Sequence, residues 1–267
     1  MKVLRGTFGS TGRGFFTFVV HLLRILKLSG QALFWIFIAP FKGRHIRWRL
    51  TFVQMVRIGV NSVPIVGIIA FFVGLIIAMQ AAYQLARFGA TIYVADLVGV
   101  SITRELGPLI TAIILAGRSG SAIAAEIGTM KVSEEIDALQ TMALNPIGFL
   151  IVPRTLAMII VVPCLTVLAD FLGISGGFVL AVFNLKLPFI AYFNQTATAI
   201  LMKDFFTGLV KSFFFAIIIA QIGAYQGFSV QGGAEGVGKA TTASVVSSIF
   251  LIIVADLLFT MLFFSTV

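Results

Sequence analysis

The chain has 267 residues, of which 59% are hydrophobic and only 11% are charged, and its mean hydropathy is +1.08. These values lie far outside those of soluble globular proteins and indicate an integral membrane protein with a single domain over residues 1–267. The net charge of +9 does not indicate nucleic-acid binding, because no nucleic-acid-binding motif accompanies it.

The basic residues are concentrated at the N-terminal end. Residues 1–57 contain ten Lys or Arg side chains and no acid, and Asp96 is the first acidic residue of the chain. By the positive-inside rule this asymmetry predicts a cytoplasmic N-terminus. Charges also interrupt the apolar run at residues 13–39, which favours a helix lying in the membrane interface over a cleaved signal peptide. A basic segment at residues 40–57, called the elbow below, follows this run, so the N-terminal region extends over residues 13–57.

Five apolar stretches follow, and each is long enough to cross a bilayer as a helix. They form a predicted five-span core over residues 60–264, with spans at 60–85, 97–128, 149–183, 205–225 and 244–264. We expect a short outer-side helix within residues 188–204 and a glycine-rich loop over residues 227–239. Five crossings from a cytoplasmic start put the C-terminus on the outer side of the membrane.

Small residues recur at every fourth position in the first two spans. They are Gly74, Ala78, Ala82 and Ala86 in the first span, and Ala112, Ala116, Gly120, Ala124 and Gly128 in the second. Residues four apart share one face of a helix, and a face of small residues lets another helix approach closely. The spacing therefore predicts tightly packed helix pairs.

Residues 133–145 form a short predicted helix that begins with Ser133 as its N-cap and ends before Pro146. Its first turns carry the acids Glu134, Glu135 and Asp137. Acids are favoured there by the helix dipole. A helix of about 12 residues is only about 18 Å long, which is too short to cross a bilayer. We expect an amphipathic docking helix on the cytoplasmic side, between the second and third spans.

Charged residues also occur inside the spans, where a charge is costly unless it faces protein, water or a ligand. They include Arg104, Glu105, Arg118, Glu126, Asp170, Lys211 and Asp256. Lys211 is expected to extend its stem to the outer interface. Arg118 and Glu126 share a helix face, which favours structural contacts between helices. Asp170 and Asp256 either join helices or relay protons.

The segment GAEGVGKAT at residues 233–241 resembles a phosphate-binding P-loop. Ala240 stands where the motif needs a hydroxyl for Mg²⁺, and a membrane helix rather than a strand precedes the segment. A pump with this sequence must therefore obtain its ATPase from another chain. No nucleophile, carboxylate pair or metal-ligand arrangement indicates an enzyme, and we expect no cofactor and no metal.

Two separated blocks carry a resemblance to a known family. The first block, at residues 104–146, contains RELGP at 104–108, AGRSGSAIAAEIGTMK at 116–131, EEIDAL at 134–139 and NP at 145–146. The second block is GVGKATTASVVSS at 236–248. In these blocks the chain resembles the MlaE permeases, subunits of ABC transporters that move phospholipids between bacterial membranes.

The resemblance implies a multi-pass permease of the bacterial inner membrane, with a cytoplasmic N-terminus and a periplasmic C-terminus. The implied partners are a second copy enclosing a lipid cavity, a cytoplasmic ABC ATPase that binds the ATP, an MCE-domain protein on the outer side and a small STAS-domain regulator. It also places Glu105 at the cavity with Arg104 beside it, and the alternative for Glu105 is a structural ion pair. On its position in the first span, Gln80 either lines the same cavity or bonds to a neighbouring helix. The expected ATPase-coupling residues are Lys131, Glu134, Glu135 and Asp137.

The residues by themselves are also compatible with two other classes of function. One is a proton-coupled secondary transporter that uses Glu105, Asp170 and Asp256, although no internal repeat of the kind common in such folds is detectable. The other is a membrane scaffold that transports nothing. ATP hydrolysis by a co-purified partner would separate a pump from both.

Overall fold

The structure is a computed structural model that describes residues 47–264, together with Leu23 and the helical residues 27–32 and 34–36. From residue 47 onward, the described chain forms seven helices and no strand. They are α1 (Trp48–Phe88), α2 (Thr91–Val132), α3 (Glu135–Thr141), α4 (Ile147–Phe183), α5 (Phe189–Ala199), α6 (Met202–Phe228) and α7 (Gly233–Phe264). Most of the predicted interfacial helix and elbow falls outside the described residues and stays a prediction.

Five of these helices are long and apolar enough to cross a membrane, namely α1, α2, α4, α6 and α7. The prediction of an all-α membrane protein with five spans is therefore confirmed. The third span is one helix although Pro163 lies inside it. The short helix expected between the third and fourth spans is present as α5.

Two of the long helices begin much earlier in the chain than the predicted spans. The helix of the first span begins at Trp48, ahead of the predicted start of the span at residue 60, because its early residues already pack on the third span: Gly59 lies against Val161 of α4. The glycine-rich loop is also shorter than predicted. It turns at Gly232 and Gly233, whose φ angles are 86° and 68°, and α7 begins at once. The glycines farther along are helical because packing and side-chain pairing override their weak helix propensity.

The first and third spans pack through glycines at the closest points of contact. A Cβ atom at Gly74 of α1 would collide with the carbonyl oxygen of Gly173 in α4, and one at Gly176 would collide with the carbonyl oxygen of Phe71. The small-residue spacing of the first span therefore does mark a tight helix pair, although Ala86 at its end is exposed.

The small face of α2 is buried along its whole length. It comprises Ala112, Ala116, Gly120, Ala124 and Gly128. Gly120 lies against Ile219 of α6, with the Ser244 hydroxyl of α7 nearby, and Gly128 lies against Val237 of α7. The predicted close packing is confirmed, and it brings α2 into contact with both the fourth and the fifth span.

The short helix α3 lies between the second and third spans, but it covers Glu135–Thr141 rather than residues 133–145. Ser133 is not its cap, because the Ser133 hydroxyl donates to the Thr129 carbonyl at 2.9 Å. The N-cap is Glu134, with φ at 59°, and Ala143 with φ at 58° turns the chain after the other end. These two left-handed residues limit the helix to two turns.

We predict that Gly74→Ala destabilises the protein. The new methyl group meets a backbone carbonyl that no side-chain rotation can move, and overpacking of this kind costs about 1–3 kcal/mol. The thermal unfolding midpoint in detergent should fall by several degrees. Gly238→Ala is the matched control, because a Cβ there has no neighbour within 4 Å. Equal midpoints for the two variants would contradict the proposed packing.

Candidate functional site

A buried lysine joins three spans near one end of the bundle. The Lys211 side chain on α6 is 0% exposed, and its ammonium group pairs with the Glu105 carboxylate of α2 and, at 2.9 Å, with Asp256 of α7. It also donates to the Thr260 hydroxyl at 2.8 Å, and that hydroxyl lies 3.1 Å from the other oxygen of Glu105. These four residues are called the Lys211 cluster below.

The prediction that Lys211 extends to the outer interface is wrong. Two carboxylates reach it inside the bundle, so its charge is compensated without water. The sequence carried a partial signal, because α2 and α7 each contribute an acid in an apolar span. It did not show which of these acids would face α6.

Local backbone features bring Glu105 to Lys211. Glu105 lies in a π-helical turn at Ile102–Leu106, just before Pro108, whose missing N–H interrupts regular helical bonding. On the facing helix, a Cβ atom at Gly208 would collide with the carbonyl oxygen of Thr103. The backbones of α2 and α6 are therefore in contact one turn before Lys211.

Arg104 turns away from its neighbour Glu105. Its guanidinium lies 3.7 Å from the Asp204 carboxylate, whose other oxygen accepts the backbone N–H of Leu201 at the start of α6. Successive residues on a helix point about 100° apart, which explains the separate partners. Arg104 and Glu105 thus both contact α6, through different residues.

The structure does not bring Gln80 into the Lys211 cluster. Gln80 is exposed on α1, and none of the polar contacts of the cluster involves it. Asp170 is likewise separate: it is buried on α4 against Gly107, where a Cβ atom would collide with its Oδ1. Of the three carboxylates considered for a proton path, only Glu105 and Asp256 meet.

A second polar group lies farther along α2. Glu126 pairs with Arg57 of α1 and, at 2.9 Å, with Arg154 of α4, while Arg118 donates to the Ser62 hydroxyl at 2.6 Å. The predicted structural contacts of Arg118 and Glu126 between helices are confirmed, with different partners for each.

The residues expected to contact an ATPase lie on and beside α3. Ile136, 2% exposed, packs into the main core with Leu139. Around this apolar anchor the acids Glu134, Glu135 and Asp137 are exposed, and Lys131 pairs with Asp137 at 3.2 Å. The structure therefore presents an acidic surface on a firmly attached helix. Among the described residues, α3 included, no three His, Cys, Asp or Glu side chains are grouped so that they could hold a metal ion.

Comparisons with known proteins agree with this architecture. The family model described as Permease MlaE matches residues 51–262. A probable ABC transporter permease protein of Rickettsia typhi is 42% identical over 79% of this chain and 82% of its own length. A protein of the same description from Synechocystis is 39% identical over 91% of each chain. The chloroplast protein TRIGALACTOSYLDIACYLGLYCEROL 1 of Arabidopsis thaliana is 36% identical over 84% of this chain and 63% of its own length.

We predict that Lys211→Met destabilises the bundle, because it leaves two carboxylates without their cation. Removing one partner of a buried ion pair costs about 3–5 kcal/mol. The unfolding midpoint in detergent should fall accordingly, and adding Glu105→Gln and Asp256→Asn should restore most of the loss. Lys203→Met, an exposed position on the same helix, is the control. A triple variant no more stable than the single one would show that the Lys211 cluster is not an ion-pair network.

Proposed function

Because this chain belongs to the MlaE permease family, we propose that it is the membrane-spanning subunit of an ABC transporter that moves phospholipid, powered by an ATPase on another chain. The observation that carries the proposal is the arrangement of α3. It is a two-turn helix between two spans, anchored by Ile136 and exposing its acids. Such a helix can receive a movement from a bound partner and pass it to the spans on either side.

The proposed mechanism follows from that attachment. When ATP closes the two ATPase subunits, each subunit displaces the α3 helix to which it is bound. Because Ile136 packs in the same core cluster as residues of α2, α4 and α6, the displacement changes how the spans pack. The cavity walls then move, and a lipid is admitted or expelled.

A lipid substrate is supported by the polar groups within the apolar spans. Glu105 is 31% exposed at its side chain although Lys211 is fully buried, so one face of the Lys211 cluster is open. Beside it, Arg104 is also partly exposed. A headgroup can meet these charges while acyl chains contact apolar side chains. The printed name of the Arabidopsis relative includes the name of a galactolipid, which agrees with a lipid substrate.

The proposed assembly is a homodimer in the bacterial inner membrane. Only 11% of the most apolar stretch of α7 is buried within one protomer, which leaves a large apolar surface for a second copy or for lipid. An MCE-domain protein on the periplasmic side would pass the lipid onward, and a small STAS-domain protein would act as regulator. In this assembly the N-terminus is cytoplasmic and the C-terminus periplasmic.

We predict that Glu134→Lys combined with Glu135→Lys weakens binding of the ATPase at least tenfold, because the charge of the docking surface is reversed. Co-purification of the ATPase and its hydrolysis rate in proteoliposomes measure the effect. The control is Glu235→Lys, an exposed acid at the start of α7 and outside α3. Equal losses in both variants would mean that α3 is not the specific contact.

A second prediction tests the cavity. A photocrosslinker at Gln80, which is exposed, should capture phospholipid, and trapping the ATPase with vanadate should reduce the capture several-fold as the cavity closes. A crosslinker at Ile65, exposed on the same helix, should capture surrounding lipid equally in both states. If the amount of lipid captured at Gln80 is the same with and without vanadate, Gln80 lies on the outer, lipid-facing surface of the protein and not in the cavity.

The alternative is a proton-coupled secondary transporter, and the meeting of Glu105 and Asp256 on Lys211 is the observation in its favour. The two functions differ in their energy source. Lipid movement in proteoliposomes that requires ATP and the partner ATPase, with no proton gradient, supports the pump. Movement driven by a proton gradient without the ATPase supports the alternative.

A further inference from the structure

A small polar cavity lies between α1 and α2, at the end of the bundle that carries α3. It has a volume of about 290 Å³. Its polar lining consists of Gln54, Arg57, Asn61, Arg118, Ser119 and Glu126. Arg118 lies 13 residues beyond Glu105, which is about 20 Å along a helix. The cavity is therefore well separated from the Lys211 cluster.

The charges around this cavity are not balanced. Arg57 and Arg154 both pair with Glu126, so two guanidinium groups share one carboxylate. Arg118 donates to the neutral Ser62 hydroxyl and forms no ion pair with any carboxylate of the described chain. Three cations and one anion leave two positive charges at this end of the bundle, where Arg118 is partly buried. A charge in such a place calls for a counter-ion.

The available hydrogen-bond donors fit a phosphate group. A guanidinium has five N–H donors in a planar fork, and the contacts above use only part of those on Arg57 and Arg118. The Asn61 amide is exposed at the same cavity. Glu126 would repel an anion, but its two arginine partners compensate its charge.

The surroundings favour a phosphate that belongs to a lipid. The cavity is slightly smaller than typical small-ligand sites, which measure roughly 300–1,000 Å³, so it accommodates a headgroup and excludes acyl chains. On α1 beside it, Val53, Val56 and Val60 are exposed and form an apolar surface along which acyl chains can lie. A free phosphate ion would make no use of that surface.

We propose that this cavity binds the phosphate of a phospholipid in the membrane leaflet on the α3 side. The inference deepens the proposed lipid transport, since it adds a headgroup site at the opposite end of α2 from Glu105. Its charge balance favours a headgroup with net negative charge, such as phosphatidylglycerol. In the transport cycle, the site would hold a lipid where it enters or leaves the permease on that side.

The test is a titration of the full-length protein in detergent with phosphatidylglycerol, followed by native mass spectrometry. Arg118→Gln and Arg57→Gln should each weaken binding of the tightest lipid at least fivefold. Arg49→Gln is the matched control, because it removes the same charge from an exposed position on α1 that does not line the cavity. It should change binding less than twofold.

Two outcomes would overturn the inference. Equal losses in all three variants would overturn it, since they would reflect general attraction between basic residues and anionic lipid. Displacement of the lipid by millimolar inorganic phosphate would also overturn it, in favour of a free-anion site. If Arg118→Gln does not fold, Arg57→Gln decides alone, because the Arg57 side chain is 59% exposed and its loss leaves the core intact. Binding is measured without ATPase or ATP, so a failure here is distinguishable from a failure of lipid transport.

Discussion

Compensation of the Lys211 charge is the constraint on which the arrangement of the spans depends. An ammonium group that is fully buried among apolar helices is stable only when carboxylates reach it, and these come from α2 and α7. The register of α2, α6 and α7 at this depth is thereby fixed to within the reach of a side chain. Because the Glu105 side chain remains 31% exposed, the contact that holds the helices together also leaves part of a charged group uncovered.

Close backbone packing makes that compensation geometrically possible. Glycines at 107, 120 and 208 let α2 approach α4 and α6 so closely that a methyl group in their place would meet a neighbouring atom at or below van der Waals distance. At this short distance between the backbones, polar side chains are long enough to contact partners on the neighbouring helix. The small residues of this sequence therefore serve the polar contacts as well as the packing of the helices.

The charged groups form two layers along α2, separated by about 20 Å of apolar helix. The layer around Lys211 has an excess of carboxylates, and the layer around Arg118 has an excess of guanidinium groups. The two ends of the bundle thus differ in the sign of their uncompensated charge. The short helix α3 follows the end of α2 that carries the second layer, so it lies nearer to the guanidinium groups along the chain than to the Lys211 cluster.

The sequence by itself determined the fold class, the number of spans, the close-packed face of α2 and the presence of a short acidic helix, because each depends on local composition or on spacing along one helix. It did not determine that α1 begins at Trp48, that α7 begins at Gly233 or that α3 is capped at Glu134, because packing and left-handed residues decide these ends. Only the tertiary structure showed that Lys211 is buried and that Arg104 and Glu105 have separate partners. Depth along a span can be read from its sequence, whereas the helix that a given face meets depends on how all the spans pack together.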